Sequence, residues 1–408
     1  MPGTVSANSI HQGTVIGVYK SSVDGQIHGY VVTIPGIYNP IRNSGLLKTH
    51  TSGVPAIIAG VGDDVVNNGI VRTTGTNASG IRSDTYGIVY NNGIVSVTGS
   101  GSAAIEMHGK FGALLNAGLI HAAPGADAIR ADGTAEGTVV VNYGVIDGRV
   151  VVTAGPYARF ENSGLMGISA AGAGTTHIVS GVFAQTSAGA LALRIAGASN
   201  DSLYVDGAAR LAGTVAPIFY PGDLTRSYTL VTASGEITGT FDTLAPMGLP
   251  SFVSTSLSYT GTEVDLHLMA EMAQVRGLTA NQHAVGGALD RAFNVGGGIP
   301  NRLNAALFGL SESQLPHALG ALSGEIHASE RSTLINDAIY SREAVLGRLR
   351  QVTSGGPDSA ASAALGGGAD LPRSIRPQPQ GRTLPAQHSG LRVSGPGANS
   401  TATAMPQK

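Results

Sequence analysis

The chain has 408 residues, 12% of them charged, and a formal net charge of −2. The usual charged share is roughly 25%, so a balance this sparse and near neutral argues against nucleic acid or an anionic membrane surface as partner. Cys is absent, which excludes disulfides, Cys-ligated zinc and thiol catalysis.

The first residues, Met1 to Asn8, have neither a basic n-region nor the apolar run of a signal peptide. Residues 1–40 are rich in Gly and Val, and Val31 to Ile34 reads as a strand. They are expected to form a degenerate first coil or two. No apolar run anywhere reaches the roughly 18 residues of a transmembrane helix.

From residue 41 the chain repeats one phrase six times: an apolar residue, a spacer, Asn-x-Gly and two more apolar residues. The asparagines are Asn43, Asn67, Asn91, Asn116, Asn142 and Asn162, and the glycines Gly45, Gly69, Gly93, Gly118, Gly144 and Gly164. The Asn-to-Asn steps are 24, 24, 25, 26 and 20 residues. A period in that range marks a solenoid. A second phrase, Ala56-Ile57, Gly80-Ile81, Ala104-Ile105 and Ala128-Ile129, recurs every 24 residues in phase with the first. Two phase-locked phrases imply at least two inward-facing strands per coil.

Residue types select strands over helices. Ile and Val dominate, runs are short, and Gly or Asn interrupts them every few residues. The 59 Gly are about twice the usual share of roughly 7%. Parity orients the Asn. The residue two before it is Ile41, Val65, Val89, Leu114, Val140 or Phe160, and positions i and i+2 share a face. An inward Asn needs partners, which the same Asn about 4.8 Å above and below supplies as an amide ladder. The Gly two residues on is expected to turn the chain at positive φ. The fold class is therefore all-β, a right-handed parallel β-helix, with residues 1–200 as its solenoid.

Residues 201–270 change to strict alternation with short Gly turns, as in Leu203, Val205 and Val264, Leu266, Leu268. They read as a β cap covering the open end. Residues 271–351 switch to helix. Thr279 with Gln282 and Ser311 with Gln314 fit capping boxes. The strongest helix runs from about Glu325 to Arg350, with Leu334, Ala338, Val345 and Leu349 on one face. Residues 352–408 are Gly, Ser, Ala and Pro with few large apolar side chains, and are expected to be disordered.

Taken together, residues 41–351 resemble the passenger and linker of a type V autotransporter of Gram-negative bacteria, of the pertactin-like kind. The Asn-x-Gly coils resemble the passenger β-helix. Ser202 to Leu268, with its Tyr228-to-Phe241 phrase, resembles the autochaperone that promotes passenger folding. Leu278 to Gln282, Ala288 to Asp290, and Ala321 to Leu349 resemble the segment entering the translocator barrel. The resemblance implies a cell-surface, outer-membrane or extracellular location, a translocator barrel as partner, and adhesion to a host-surface protein or glycan. The family's signal peptide and membrane barrel have no counterpart in this sequence. Residues 351–408 contain no Phe, Tyr or Trp for a barrel's aromatic girdles. A fragment, a frameshifted gene, a mis-called start or a non-functional remnant of a split gene would each give such a sequence.

The alternative function is a carbohydrate-active β-helix enzyme. Gly62-Asp63-Asp64, Met107-His108-Gly109 and Arg194-Ile195 resemble fragments of the polygalacturonase motifs, in which paired carboxylates act as acid and base. The family's Asn-Thr-Asp motif is missing, and His108 lies about two coils beyond Asp64, roughly 10 Å along the axis. No Gly-x-Ser-x-Gly occurs. The eleven His lack metal-ligand spacing, and His108, His121 and His177 read as exposed strand positions. Tyr86, Tyr90 and Tyr143 could stack along one flank. No enzyme activity, metal or cofactor is expected.

Overall fold

A computed structural model describes residues 16–18, 30–33, 41–296 and 298–354. In it the chain forms a parallel β-solenoid of about eight turns with about 24 residues per coil. Of the tail expected to be disordered, residues 352–354 instead close a helix that ends at Ser354; the rest of it, 355–408, and most of the expected first coil lie outside the described residues.

Each regular coil carries three strands. The first face holds Ile41–Asn43, Val65–Asn67, Ile88–Asn91, Ala113–Asn116, Val139–Asn142 and Arg159–Asn162. The second face begins just past the Gly of the phrase, at Leu46–Thr49, Ile70–Thr73, Ile94–Val97, Leu119–Ala122, Val145–Asp147 and Leu165–Gly167. The third carries the Ala-Ile phrase, at Ile57–Ala59, Ile81–Ser83, Ala103–Met107 and Asp127–Ala131. Like residues pair in register, Val65 with Val89 and Ile81 with Ile105. Parity then sends one apolar row inward from each face. Val89, Leu114 and Val140, Val95, Ile120 and Ile146, and Ile81, Ile105 and Ile129 are all fully buried.

Later coils lose the corner between the third and first faces. Thr176–Gln185 and Ser202–Leu211 each run continuously across it, bending at Gly181 (φ +77°) and Gly207 (φ +146°). A Cβ at either glycine would collide with the backbone of the coil below. This continuity joins the two faces into one nineteen-stranded sheet, and the second face forms a separate ten-stranded one.

Parallel coils continue past residue 200, through Thr214–Tyr220 and Ile237–Gly239 to Thr243–Leu244. Antiparallel pairing, earlier confined among the described residues to Ile16–Val18 with Tyr30–Thr33 and Ala190–Ala196 with Ser199–Asn200, returns with the hairpin Val253–Tyr259 and Glu263–Ala270, whose second strand also pairs antiparallel with Ser227–Ala233. That hairpin covers the otherwise unpaired edge of the last coil.

Three helices pack there, α1 (Ala280–Val295), α2 (Asn301–Phe308) and α3 (Leu315–Leu322). Thr279 and Gln282 form a reciprocal capping box on α1. Ser311 and Gln314 do not form one for α3. There Gln314 Oε1 accepts from Ser311 N–H, and the helix begins at Leu315 without a side-chain cap. Asp290 accepts from the Met272 and Ala273 amides at 2.8 and 2.9 Å, and Asn294 bonds both backbone groups of Ala270. The chain divides into two units at Ala328 and Ser329. Helix α4 (Glu325–Ser354) crosses that division, and its Leu334, Val345 and Leu349 are exposed.

Candidate functional site

The repeated asparagines lie inside the solenoid and touch one another. Asn43 Nδ2 donates to Asn67 Oδ1 at 2.7 Å. Asn67 to Asn91, Asn91 to Asn116, Asn116 to Asn142 and Asn142 to Asn162 follow at 2.8 Å each. The same Nδ2 also donates to a carbonyl at the start of the next coil's second face, as Asn67 does to Ile94 and Asn91 to Leu119. Both amide protons are thus used, which a buried amide requires.

The glycines of the phrase serve a different purpose from the one the sequence suggests. None of the six takes positive φ. A Cβ at Gly69, Gly93, Gly118, Gly144 or Gly164 would instead sit 2.0–2.2 Å from the carbonyl oxygen of the equivalent glycine one coil earlier. Stacking distance, not turn conformation, requires Gly there. Gly45, with nothing within 4 Å of its virtual Cβ, escapes the constraint.

Asp63, Asp64 and His108 are not brought together. Asp63 is fully buried and accepts from the Gly60 amide. Asp64 accepts from the Ile88 amide at 3.2 Å. His108 faces Glu106 at 3.3 Å and Asp132 at 3.6 Å. Tyr86 stacks on Phe111, centroids 5.9 Å apart, rather than on Tyr90 or Tyr143.

His177 is a correction to the exposed position the sequence suggested. It is fully buried. Its Nδ1 accepts from the Val150 amide at 3.2 Å, and Nε2 has no partner. Burial, reinforced by the Arg194 and Arg149 charges and opposed by Asp201, lowers its pKa from 6.5 to about 4.

A gap in the stacked surface around Gly148 has a simple origin. Turns from the second face to the third occupy residues 50–56, 74–80, 98–102, 123–126 and 168–175 in the coils around it. In the coil after Asn142 that turn is Gly148 alone. This is where the Asn step falls to 20 residues. Gly148 takes φ +146°, and a Cβ on it would meet Ala122 and Ala128 at 2.9 and 3.0 Å. With the turn removed, a notch of about 470 Å³ opens between the neighbouring turns, lined by residues including Ala122, Ala126, Asp127, Arg149, Ala171 and Arg194.

Charged groups organise this notch. Asp127, 2% exposed, holds Arg149 Nε at 2.6 Å on one oxygen and Arg130 on the other. Arg194 forms a buried pair with Asp201, Nε to Oδ2 at 2.6 Å and Nη2 to Oδ1 at 3.0 Å. Arg194 also donates to the Ala170 carbonyl and the Thr175 hydroxyl, pinning the turn that forms one wall. On the adjoining second face, His121 Nδ1 meets Asp147 Oδ2 at 2.8 Å. Ser169 donates its N–H and hydroxyl to the same carboxylate. Burial disfavours ionisation of Asp147, but the Ser169 hydrogen bonds and His121 outweigh it and hold its carboxyl below the usual range. The order is Ser–Asp–His. The hydroxyl faces the carboxylate and not the imidazole, so this is not the arrangement that activates a serine nucleophile.

No known protein family, curated protein or solved structure matches the chain. Among the described residues no three His, Asp or Glu side chains gather as a metal site, and no helix is long and apolar enough to cross a membrane.

Proposed function

We propose that the chain is a non-catalytic binding scaffold, the passenger portion of a surface-displayed or secreted autotransporter-type protein. The observation that carries this reading is where the repeated residues go. The Asn, Ile and Val rows are used in stacking, and the coils extend one long flank rather than enclosing a deep centre. The pertactin-like resemblance of residues 41–351 supplies the export route and the expected partner class, a host-surface protein or glycan. The separation of Asp63 and Asp64 from His108 speaks against a polygalacturonase-like centre.

The test has two parts. Purified chain incubated with polygalacturonate is expected to release no reducing sugar. The same chain is expected to bind intact epithelial cells saturably and to be competed by itself unlabelled. Sugar release that Asp63→Asn abolishes, or failure to bind cells at all, would overturn the reading.

A further inference from the structure

The notch at Gly148 holds one guanidinium whose donors are not all used. Arg130 and Arg149 share the single carboxylate of Asp127, and with Glu106 beside Arg130 the cluster sets two arginines against two carboxylates. Arg194 and Asp201 cancel each other. Glu106 approaches Arg130, at 3.9 Å, and not Arg149. Of the two guanidiniums lining the notch, Arg194 already has its donors on Asp201, Ala170 and Thr175. Among the described residues Arg149 is bonded through Nε only, and it is 47% exposed. Its Nη edge therefore remains available for a planar oxyanion, which a guanidinium takes in bidentate fashion.

Two features narrow the anion. Asp147 lies on the other side of Gly148 with its carboxyl held ionised by Ser169 and His121. Although Asp147 does not line the notch, its charge disfavours a second negative charge on the ligand. Besides the charged groups, the walls are Ala and Gly around Pro124, Ile168, Thr175 and Thr176, with no aromatic platform among them, and the volume lies near the small end of ligand pockets.

We propose that the notch binds a single carboxylate on a small ligand, the size of an acidic sugar unit or an N-acylated amino acid, with Arg149 as the receiving group. This rests on the scaffold reading only in that the notch is taken to bind and not to react. Sugar release would sink that reading and leave the binding intact.

The test is calorimetric titration of the full chain with N-acetylalanine, N-acetylalaninamide, glucuronate, glucose and inorganic phosphate. At least one carboxylate is expected to bind at least tenfold more tightly than its neutral counterpart and than phosphate. The tighter of N-acetylalanine and glucuronate identifies the ligand's source. Arg149→Gln is expected to weaken binding at least tenfold. Ala171→Phe, on an exposed wall position, is expected to block the notch with thermal unfolding unchanged, which separates lost binding from lost fold. Arg159→Gln, an exposed arginine on the first face, is expected to leave binding as it was. Equal binding of the amide and the acid, phosphate binding as tightly as either carboxylate, unaltered binding in Arg149→Gln or Ala171→Phe, or no carboxylate binding at all would overturn the proposal.

Discussion

Asn162 Nδ2 donates to Gln185 Oε1 at 3.2 Å, and there the amide ladder ends. Gln185 occupies the next ladder position, in register with Asn162, but its longer side chain turns the amide away from the stack. Its Nε2 donates to the carbonyls of Gly189, Ala212 and Thr214 at 3.3, 2.9 and 2.9 Å. The ladder thus finishes on backbone acceptors with its last donor satisfied. Beyond it the first-face strand ends in buried Leu211, an apolar side chain in place of an amide.

The ladder is directional, so position sets the cost of breaking it. Asn116→Ala leaves the Asn91 donor and the Asn142 acceptor without their partners. Each buried orphan costs about 1–3 kcal/mol, so destabilisation of about 2–6 kcal/mol is expected. Asn43→Ala removes one ladder link, to Asn67, and the bond from the exposed Gly45 amide, which water can replace, and is expected to cost about half as much. Denaturant unfolding of the two variants checks the ratio.

Glycine substitutions separate stacking from turn geometry. Gly118→Ala would place a methyl 2.0 Å from the Gly93 carbonyl oxygen, a clash with backbone that cannot rotate away. Overpacking of this kind typically costs about 1–3 kcal/mol or more. Gly45→Ala meets nothing within 4 Å and is expected to stay within about 0.5 kcal/mol of the parent. Equal effects in thermal unfolding would contradict the stacking explanation.

His177 gives the fold an acid sensitivity with a defined sign. Its folded pKa, about 4, lies below the ordinary 6.5. Between those values the unfolded chain binds the proton and the folded one does not. The stabilisation is therefore complete above about pH 6.5 and is lost as pH falls to 4. The shift corresponds to about 3 kcal/mol. Unfolding free energies of His177→Gln across pH 4–7 are expected to show a shallower slope than the parent by that amount.

Breaking the Arg194–Asp201 pair should be severe. Asp201 is fully buried and accepts from Arg194 and from the Thr175 amide. Arg194→Ala leaves that carboxylate without its counter-charge, a loss of about 3–5 kcal/mol for buried pairs. It also frees the turn at residues 168–175 from the contact at Ala170. Limited proteolysis is expected to cut in that turn first.

Much of this was legible in the sequence because period and parity are local arithmetic. The row of Asn43 to Asn162 could be oriented from the apolar residue two positions earlier. The reason for the glycines could not, because sequence does not show that the Gly93 carbonyl lies over Gly118. Residues after each Gly, such as Ile70 and Val71, formed a face of their own, so coils carry three strands where two phrases gave a minimum of two. The step of 20 residues after Asn142 was visible as a shortened period. That it removes a turn and opens a notch depends on which of three corners lost residues. Arg149 and Asp127 belong to no motif, and only coil stacking makes them neighbours. His177 sits in a strand that runs across a lost corner, where neither phrase remained to set its parity.

The central claim is that regular coils build the scaffold and the one shortened turn makes the binding site. Inserting Ser-Gly-Asn-Gly after Gly148 returns the step of 20 residues to the common period by lengthening a solvent-facing turn, a change that costs little. Titration of this variant with N-acetylalanine and glucuronate tests the claim most directly. Unchanged circular dichroism with carboxylate binding lost is the expected result; a folded variant that binds as the parent does would contradict it.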